Sequence, residues 1–347
     1  MYALDLVGSV RCVSETDDGR GDLSVSHFTN FRPIKLLIFA VAALFSGKSI
    51  LGSAFVFRIF IIAADFGTLY YGKKLLERFK MPVHTIFWYL LNPFIIIELT
   101  GSLHFEGIMI FFLVWSLYLL HSGKWKWAGI VFALSISVKL IPLMFLPLFY
   151  QWFKKQESGI FKLVGFYTIV GISTLLLFSP FYSSEFVNNY SQTVALWFGR
   201  FEFNASLYYI ARAVGYAITG YNEIATIGKF IPLVVTIVLL GLTFFRNNKS
   251  MHQLIAAMLI ISTIYYFTST TIHPWYLATL LILSVFTNYK FPIVWSFMII
   301  LSYFAYSSED YSENLWVVGL EYTVVYGIFL WEVFIKKSNW QKPLLHS

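Results

Sequence analysis

Apolar residues run through this chain in long blocks separated by short polar stretches. The blocks are Ala54–Gly72, Thr85–Thr100, Ile108–Leu120, Trp127–Tyr150, Phe161–Ser183, Pro232–Phe245, His252–Phe267, Leu277–Phe286, Phe291–Tyr306 and Leu315–Ile335. A helix needs about 20 apolar residues to cross a bilayer, and inside the bilayer only helices or closed barrels satisfy their own backbone. The pattern therefore predicts an all-α polytopic transmembrane protein of about 11–12 helices. Two blocks depart from a simple crossing. Trp127–Tyr150 contains S-V-K-L-I-P with Pro142 and Pro147 beyond it, and proline breaks the helical ladder, so two shorter helices are expected with Lys139 near their outer turn. Leu36–Phe45 is short and is expected to be re-entrant or interfacial.

Composition agrees with that pattern. Of 347 residues, 58% are hydrophobic and only 12% charged, against about 25% charged in soluble domains. The net charge of +7 does not point to nucleic acid, because the basic residues fall in short clusters between apolar blocks: Lys73 with Lys74, Lys124 with Lys126, Lys154 with Lys155, Arg246 with Lys249, and Lys336 with Lys337. That is the pattern of cytoplasmic loops. Residues 1–34 form a polar N-terminal segment without an apolar block, expected to be a disordered tail or a shortened start. Residues 35–347 read as a single multi-helix transmembrane domain with an outer loop over 184–226. The single cysteine, Cys12, rules out an internal disulfide framework and a multi-cysteine metal site. No H-E-x-x-H, Walker or G-x-G-x-x-G pattern occurs.

Threading the blocks with every basic cluster on one side puts Glu98, His104, Glu106, Lys139, Glu202, His273, Glu309, Asp310 and Glu313 on the other. Glu98, His104 and Glu106 lie in L-N-P-F-I-I-I-E-L-T-G-S-L-H-F-E-G, where a turn needs only small polar residues. They can simply face water, but ionisable groups at membrane depth usually line a functional cavity. A carboxylate there can take a proton from a sugar hydroxyl, and a divalent metal is a further option for Glu/His/Glu. Lys139, set among apolar residues, must snorkel or pair with an anion such as phosphate. Arg58 suits phosphate through its planar fork, and Asp65 on the same helix is expected to pin a neighbour. His273 in T-T-I-H-P-W-Y can bind a phosphate or a sugar hydroxyl. Trp197, Arg200 and Glu202 mix aromatic and polar groups as sugar rings require, although an amphipathic surface helix explains that stretch equally well. Asn189 and Asn204 match the glycosylation sequon, a pattern short enough to arise by chance.

N-P-F-I-I-I-E…H-F-E-G, S-V-K-L-I-P-L and I-H-P-W-Y together resemble the GT-C class of integral-membrane glycosyltransferases, in particular bacterial relatives of the polyprenol-phosphate-dependent mannosyltransferases, including the PIG-M-type enzyme. The resemblance runs from about Arg58 to the C-terminus. It implies a GT-C-like fold and a site on the lumenal or periplasmic face. The donor would be a sugar on a polyprenyl phosphate and the acceptor a glycan or lipid, without a nucleotide. It implies Lys139 and His273 as donor-phosphate contacts, with Asn92, Glu98, His104 and Glu106 lining the same region. Joined to the reading of the residues, the candidates are Glu98, Glu106 and His104 as catalytic groups, Lys139, His273 and Arg58 for the donor phosphate, and Asn92, Trp197, Arg200, Glu202, Trp275 and Tyr276 for the sugar or acceptor. No cofactor is called for. The chain departs from the class in one respect: the usual base follows a first membrane helix, and no such helix precedes residue 30. Either Glu98 or Glu106 then substitutes, or the start is truncated and the enzyme inactive.

The resemblance and the short loops thus point to a hexosyltransferase, most simply a mannosyltransferase, of a bacterial inner membrane, with an endoplasmic-reticulum membrane as the lesser option. The competing readings are a transporter or lipid-linked-sugar flippase and a non-catalytic subunit. A transporter is expected to place its charges near the midplane, often at inverted repeats, and no repeat occurs here.

Overall fold

The computed structural model describes residues 33–47, 49–182, 184, 201–307 and 312–336. Among them every regular element is a helix, and the one extended feature is an isolated parallel bridge between Phe203 and Thr271. Five helices are long and apolar enough to cross a membrane: Ile50–Arg78, Gly159–Phe181, Ile224–Phe244, Met251–Thr268 and Leu315–Ile335. Shorter apolar helices, Pro33–Ser46, Glu106–His121, Trp125–Val138, Pro274–Val285 and Phe291–Ser307, complete the bundle. The fold is an all-α membrane protein.

Local chemistry explains where the helices start and break. Ser49 and Asn314 cap the helices that follow them, Ser250 and Gln253 form a reciprocal capping box, and each satisfies amides that the first turn leaves unpaired. The expected Thr85–Thr100 crossing is instead a pair, Val83–Leu90 and Pro93–Gly101, bent by 48°. Pro93 has no amide to continue the first helix, and the Asn92 side chain restarts it by accepting from Phe94 N at 3.0 Å. Expected breaks also occur: the helix Trp125–Val138 ends just before Lys139, whose backbone is extended, and Ile141–Leu148 follows as 3-10 turns. Pro232 was expected to open a helix. The helix begins earlier, at Ile224, and keeps Pro232 inside, as membrane helices tolerate; the missing amide leaves the carbonyl of Gly228, four residues back, without its helical donor. Pro33–Ser46 packs Ile38, Phe39 and Ala42 into the core. The stretch 184–226, expected as an outer loop, contains the amphipathic helix Leu207–Thr219 among its described residues.

Side-chain contacts fix the relative direction of three of the helices. Ile61 and Asp65 lie beside Gly107, and Gly67 makes room for the Phe111 ring, which an added Cβ would meet at 2.3 Å. Further along, Tyr71 stacks on Trp115 at 5.2 Å, and Arg78 lies over Tyr118. The helices Ile50–Arg78 and Glu106–His121 therefore run parallel, as two crossings joined by a third must. Glu106–His121 and Trp125–Val138 form an antiparallel hairpin, tied by Ser116 Oγ to Ala128 O and Ser135 Oγ to Met109 O, both 2.8 Å. At one end of the bundle Phe79 touches His121, His252 and Phe286, close to Arg78, Arg246 and their basic neighbours. Met251–Thr268 is the centre of the bundle, two-thirds buried where the other four long helices are a third buried or less. Every residue of Leu277–Val285 is buried beside it. These two helices and Glu106–His121 carry the end opposite the basic loops, where the titratable side chains gather.

Candidate active site

The turn between Gly101 and Glu106 is tight. Leu103 takes φ 61°, a left-handed conformation that residues with a Cβ adopt only at a cost of about 1–2 kcal/mol. It turns His104 inward, where its ring stacks on Trp275 with centroids 3.8 Å apart. On the other face of Trp275 lies His273, 4.5 Å away and only 7° from parallel. One indole is therefore sandwiched between two imidazoles. Pro274 starts the short 3-10 turn Pro274–Tyr276 that brings Trp275 and Tyr276 to this point.

Next to the stack, Lys139 forms an ion pair with Glu106, and its ammonium lies 4.0 Å from the centre of the Tyr276 ring. The hairpin explains the meeting, since Glu106 opens one helix and Lys139 follows the end of the next. Side-chain exposures are 18% for Lys139 and 8% for Glu106, so the pair is largely withdrawn from water. The N-terminus of Glu106–His121 adds a partial positive charge behind the carboxylate. Glu98, also buried, accepts a hydrogen bond from Tyr303 at 2.5 Å. Its other oxygen, Oε2, has no hydrogen-bond partner among the described residues.

Burial pulls the pKa of His104 down to about 4, so the imidazole is neutral at pH 7 and acts through its ring and lone pair. An unfolded histidine titrates near 6.5. Between about pH 6.5 and 4 the unfolded state therefore holds a proton that the folded state lacks, and stability falls as pH falls through that window, by up to about 3 kcal/mol. Unfolding midpoints between pH 7.5 and 4.5 should drop further for the wild type than for His104→Phe. A parallel drop in both would show that His104 is not the buried neutral group.

The structure brings Glu106, Lys139, His104, His273, Trp275 and Tyr276 into one contact cluster, with Glu98 in the preceding turn. The remaining candidates have other partners. Arg58 donates to the carbonyls of Thr100 and Gly101, at 3.3 and 3.5 Å, on the rim of the Glu98 turn. Asn92 donates to Ser296 at 3.0 Å and caps its own helix. Glu202 binds Arg212 at 2.9 Å and Asn222 at 3.1 Å. Trp197 and Arg200 lie outside the described residues, as do Asn189, Glu309 and Asp310. Asn204 is fully buried with its amide on Glu321, which closes that sequon to a glycan in the folded protein. Among the described residues no three His, Cys, Asp or Glu side chains come together as a metal-holding group. Sequence reasoning missed Tyr303 and Glu321. Glu321 had a usable signal, a carboxylate well inside the apolar block Leu315–Ile335, whose other acid, Glu332, lies at its end, whereas Tyr303 is one of many aromatics and had none.

Residues 26–154 match the family described as alpha-(1->6)-mannopyranosyltransferase, N-terminal domain. That segment contains Glu98, His104, Glu106 and Lys139. No curated protein matches the chain. With its membrane helices and this match, the chain is a membrane glycosyltransferase of GT-C-like type, similar over those residues to mannosyltransferases.

Proposed function

We propose that the cluster around Glu106 and Lys139 receives mannose carried on a polyprenyl phosphate and passes it to a hydroxyl of a glycan or lipid acceptor, on the non-cytoplasmic face of a bacterial inner membrane. The observation that carries this reading is the withdrawn Lys139–Glu106 pair set beside a His–Trp–His stack at the end of the bundle opposite the basic loops. In transfer, the acceptor oxygen bonds to the anomeric carbon and the bond from that carbon to the phosphate oxygen breaks. The phosphate leaves with the electron pair. Lys139, helped by His273, offsets the charge that grows on it. The proton of the acceptor hydroxyl goes to a carboxylate. Glu106 is occupied by Lys139, so Glu98 Oε2, buried and without a partner among the described residues, is the better placed acceptor for it. Trp275, stacked between the two imidazoles, and Tyr276, under the Lys139 ammonium, hold these groups in position for the donor. The matched family's description supports an alpha-(1->6) linkage, in which case the attacking group is a primary 6-hydroxyl.

A transporter would be expected to set its charges along a path near the midplane. Here the Lys139–Glu106 and Arg212–Glu202 pairs and Glu98 gather at one end, apart from Asp65, Glu321 and the Lys336–Glu332 pair at the basic end, which supports the enzyme. The test is transfer in sealed right-side-out vesicles, using radiolabelled polyprenyl-phosphate mannose and a mixed acceptor pool. The expected result is a labelled product open to an externally added mannosidase, and its absence from Glu98→Gln. A product shielded from the mannosidase would reverse the sidedness, and no product at all would reject the donor.

A further inference from the structure

Phe203 joins the outer segment to the His273 motif. Its amide donates to Thr270 O at 3.0 Å, its carbonyl accepts from Ile272 N at 2.8 Å, and its ring stacks on His273 with centroids 5.4 Å apart. The next residue, Asn204, is fully buried and left-handed, with φ 45°. It is held on three sides. Its backbone amide donates to Glu313 at 2.6 Å, its carbonyl accepts from the Tyr322 hydroxyl at 2.7 Å, and its side-chain amide donates to both oxygens of Glu321 at 3.2 and 3.3 Å. Glu321 also accepts from the indole of Trp295 at 2.9 Å.

Glu321 is wholly buried and is the one charged residue of Leu315–Leu330, a costly place for a carboxylate. Simple helix packing would need only one polar bond between helices. Glu321 instead takes the Trp295 indole on one oxygen and turns both to the amide of Asn204, the left-handed residue that follows Phe203. Glu313 adds to the grip: burial raises its pKa, and it also accepts from the Tyr209 hydroxyl.

Building on the donor-site reading of the His273–Trp275–His104 stack, we propose that Glu321 is a positioning residue for sugar transfer. Through Asn204 it fixes the Phe203–Thr271 bridge, and through that bridge the plane in which His273 meets the donor. Glu321 touches no substrate. Its effect on the reaction must pass through His273.

Two readouts test this on the full chain in lipid. The first is hydrogen exchange over residues 270–276, which needs no catalysis. Glu321→Ala should speed exchange there by about ten-fold or more, as loss of a local clamp does, while the hairpin 109–135 keeps its protection. Glu321→Gln should stay near wild type, because its amide oxygen still accepts. The second is a double-mutant cycle with His273→Ala. Glu321→Ala should lower kcat/KM for the donor about 30-fold in the wild-type background and less than about three-fold when His273 is already alanine. Tyr322→Phe, which removes one hydroxyl, guards against misfolding and should speed the same exchange more weakly. Unchanged exchange in both Glu321→Ala and Tyr322→Phe would overturn the proposal, as would losses that multiply in the cycle. If wild-type protein transfers no mannose, the donor reading fails while the exchange readout still decides the clamp.

Discussion

Replacing Lys139 by methionine is expected to abolish transfer and to cost about 3–5 kcal/mol of stability, the usual consequence of removing one partner from a buried ion pair. The loss arises from Glu106 rather than from the missing ammonium. With Lys139 gone, a carboxylate at 8% exposure must either stay charged without a counterion or take up a proton. Lys139→Met combined with Glu106→Leu should recover most of the stability, because two apolar side chains of similar volume remove the desolvation cost on both sides. It should recover no activity, since the cation that would meet the donor phosphate is still absent. Denaturant unfolding in detergent micelles, run beside the transfer assay, separates the two effects. A single variant as stable as the double would mean that the pair is open to water and energetically minor.

The second large effect is expected at Trp275. Its indole lies between His104 and His273, so Trp275→Ala removes two ring contacts at once, each worth about 0.5–1.5 kcal/mol beyond simple burial. It also opens a space into which either imidazole can tilt. The donor kcat/KM should fall about 100-fold, consistent with displacing oriented groups by about 1 Å. Trp275→Phe keeps a ring in the gap and should lose ten-fold or less. Equal losses in the two variants would assign the role to the indole N–H or to a direct indole–sugar contact instead of to the stack.

Much of this architecture is readable from sequence because membrane helices obey few rules. Apolar blocks marked the crossings, basic clusters separated the two ends, and the proline after Lys139 marked a real break. The helix kept through Pro232 shows the limit of that logic, since a membrane helix can run on through a proline at the loss of one hydrogen bond, and residue type alone does not say which prolines break it. The sequence also put Glu106, Lys139 and His273 at one end, but not in contact. Contact depends on the antiparallel hairpin for the first two, and on packing between distant helices for the His–Trp–His stack. Arg58 illustrates the converse: its charge suggested phosphate, whereas its guanidinium reaches the carbonyls that end the Glu98 turn. The clamp on Asn204 links residues 117 positions apart, and no local pattern encodes such a pairing.

The most direct test of the central claim is the affinity of the purified protein for polyprenyl phosphate, measured in nanodiscs against unphosphorylated polyprenol. If the Glu106–Lys139 end is the donor site, the wild type should bind the phosphate at least about ten-fold more tightly than the alcohol, a difference of about 1.4 kcal/mol. Lys139→Met with Glu106→Leu, folded but without the ammonium, should bind the two alike. Equal binding of both lipids by the wild type, or a phosphate preference that survives in the double variant, would contradict the account.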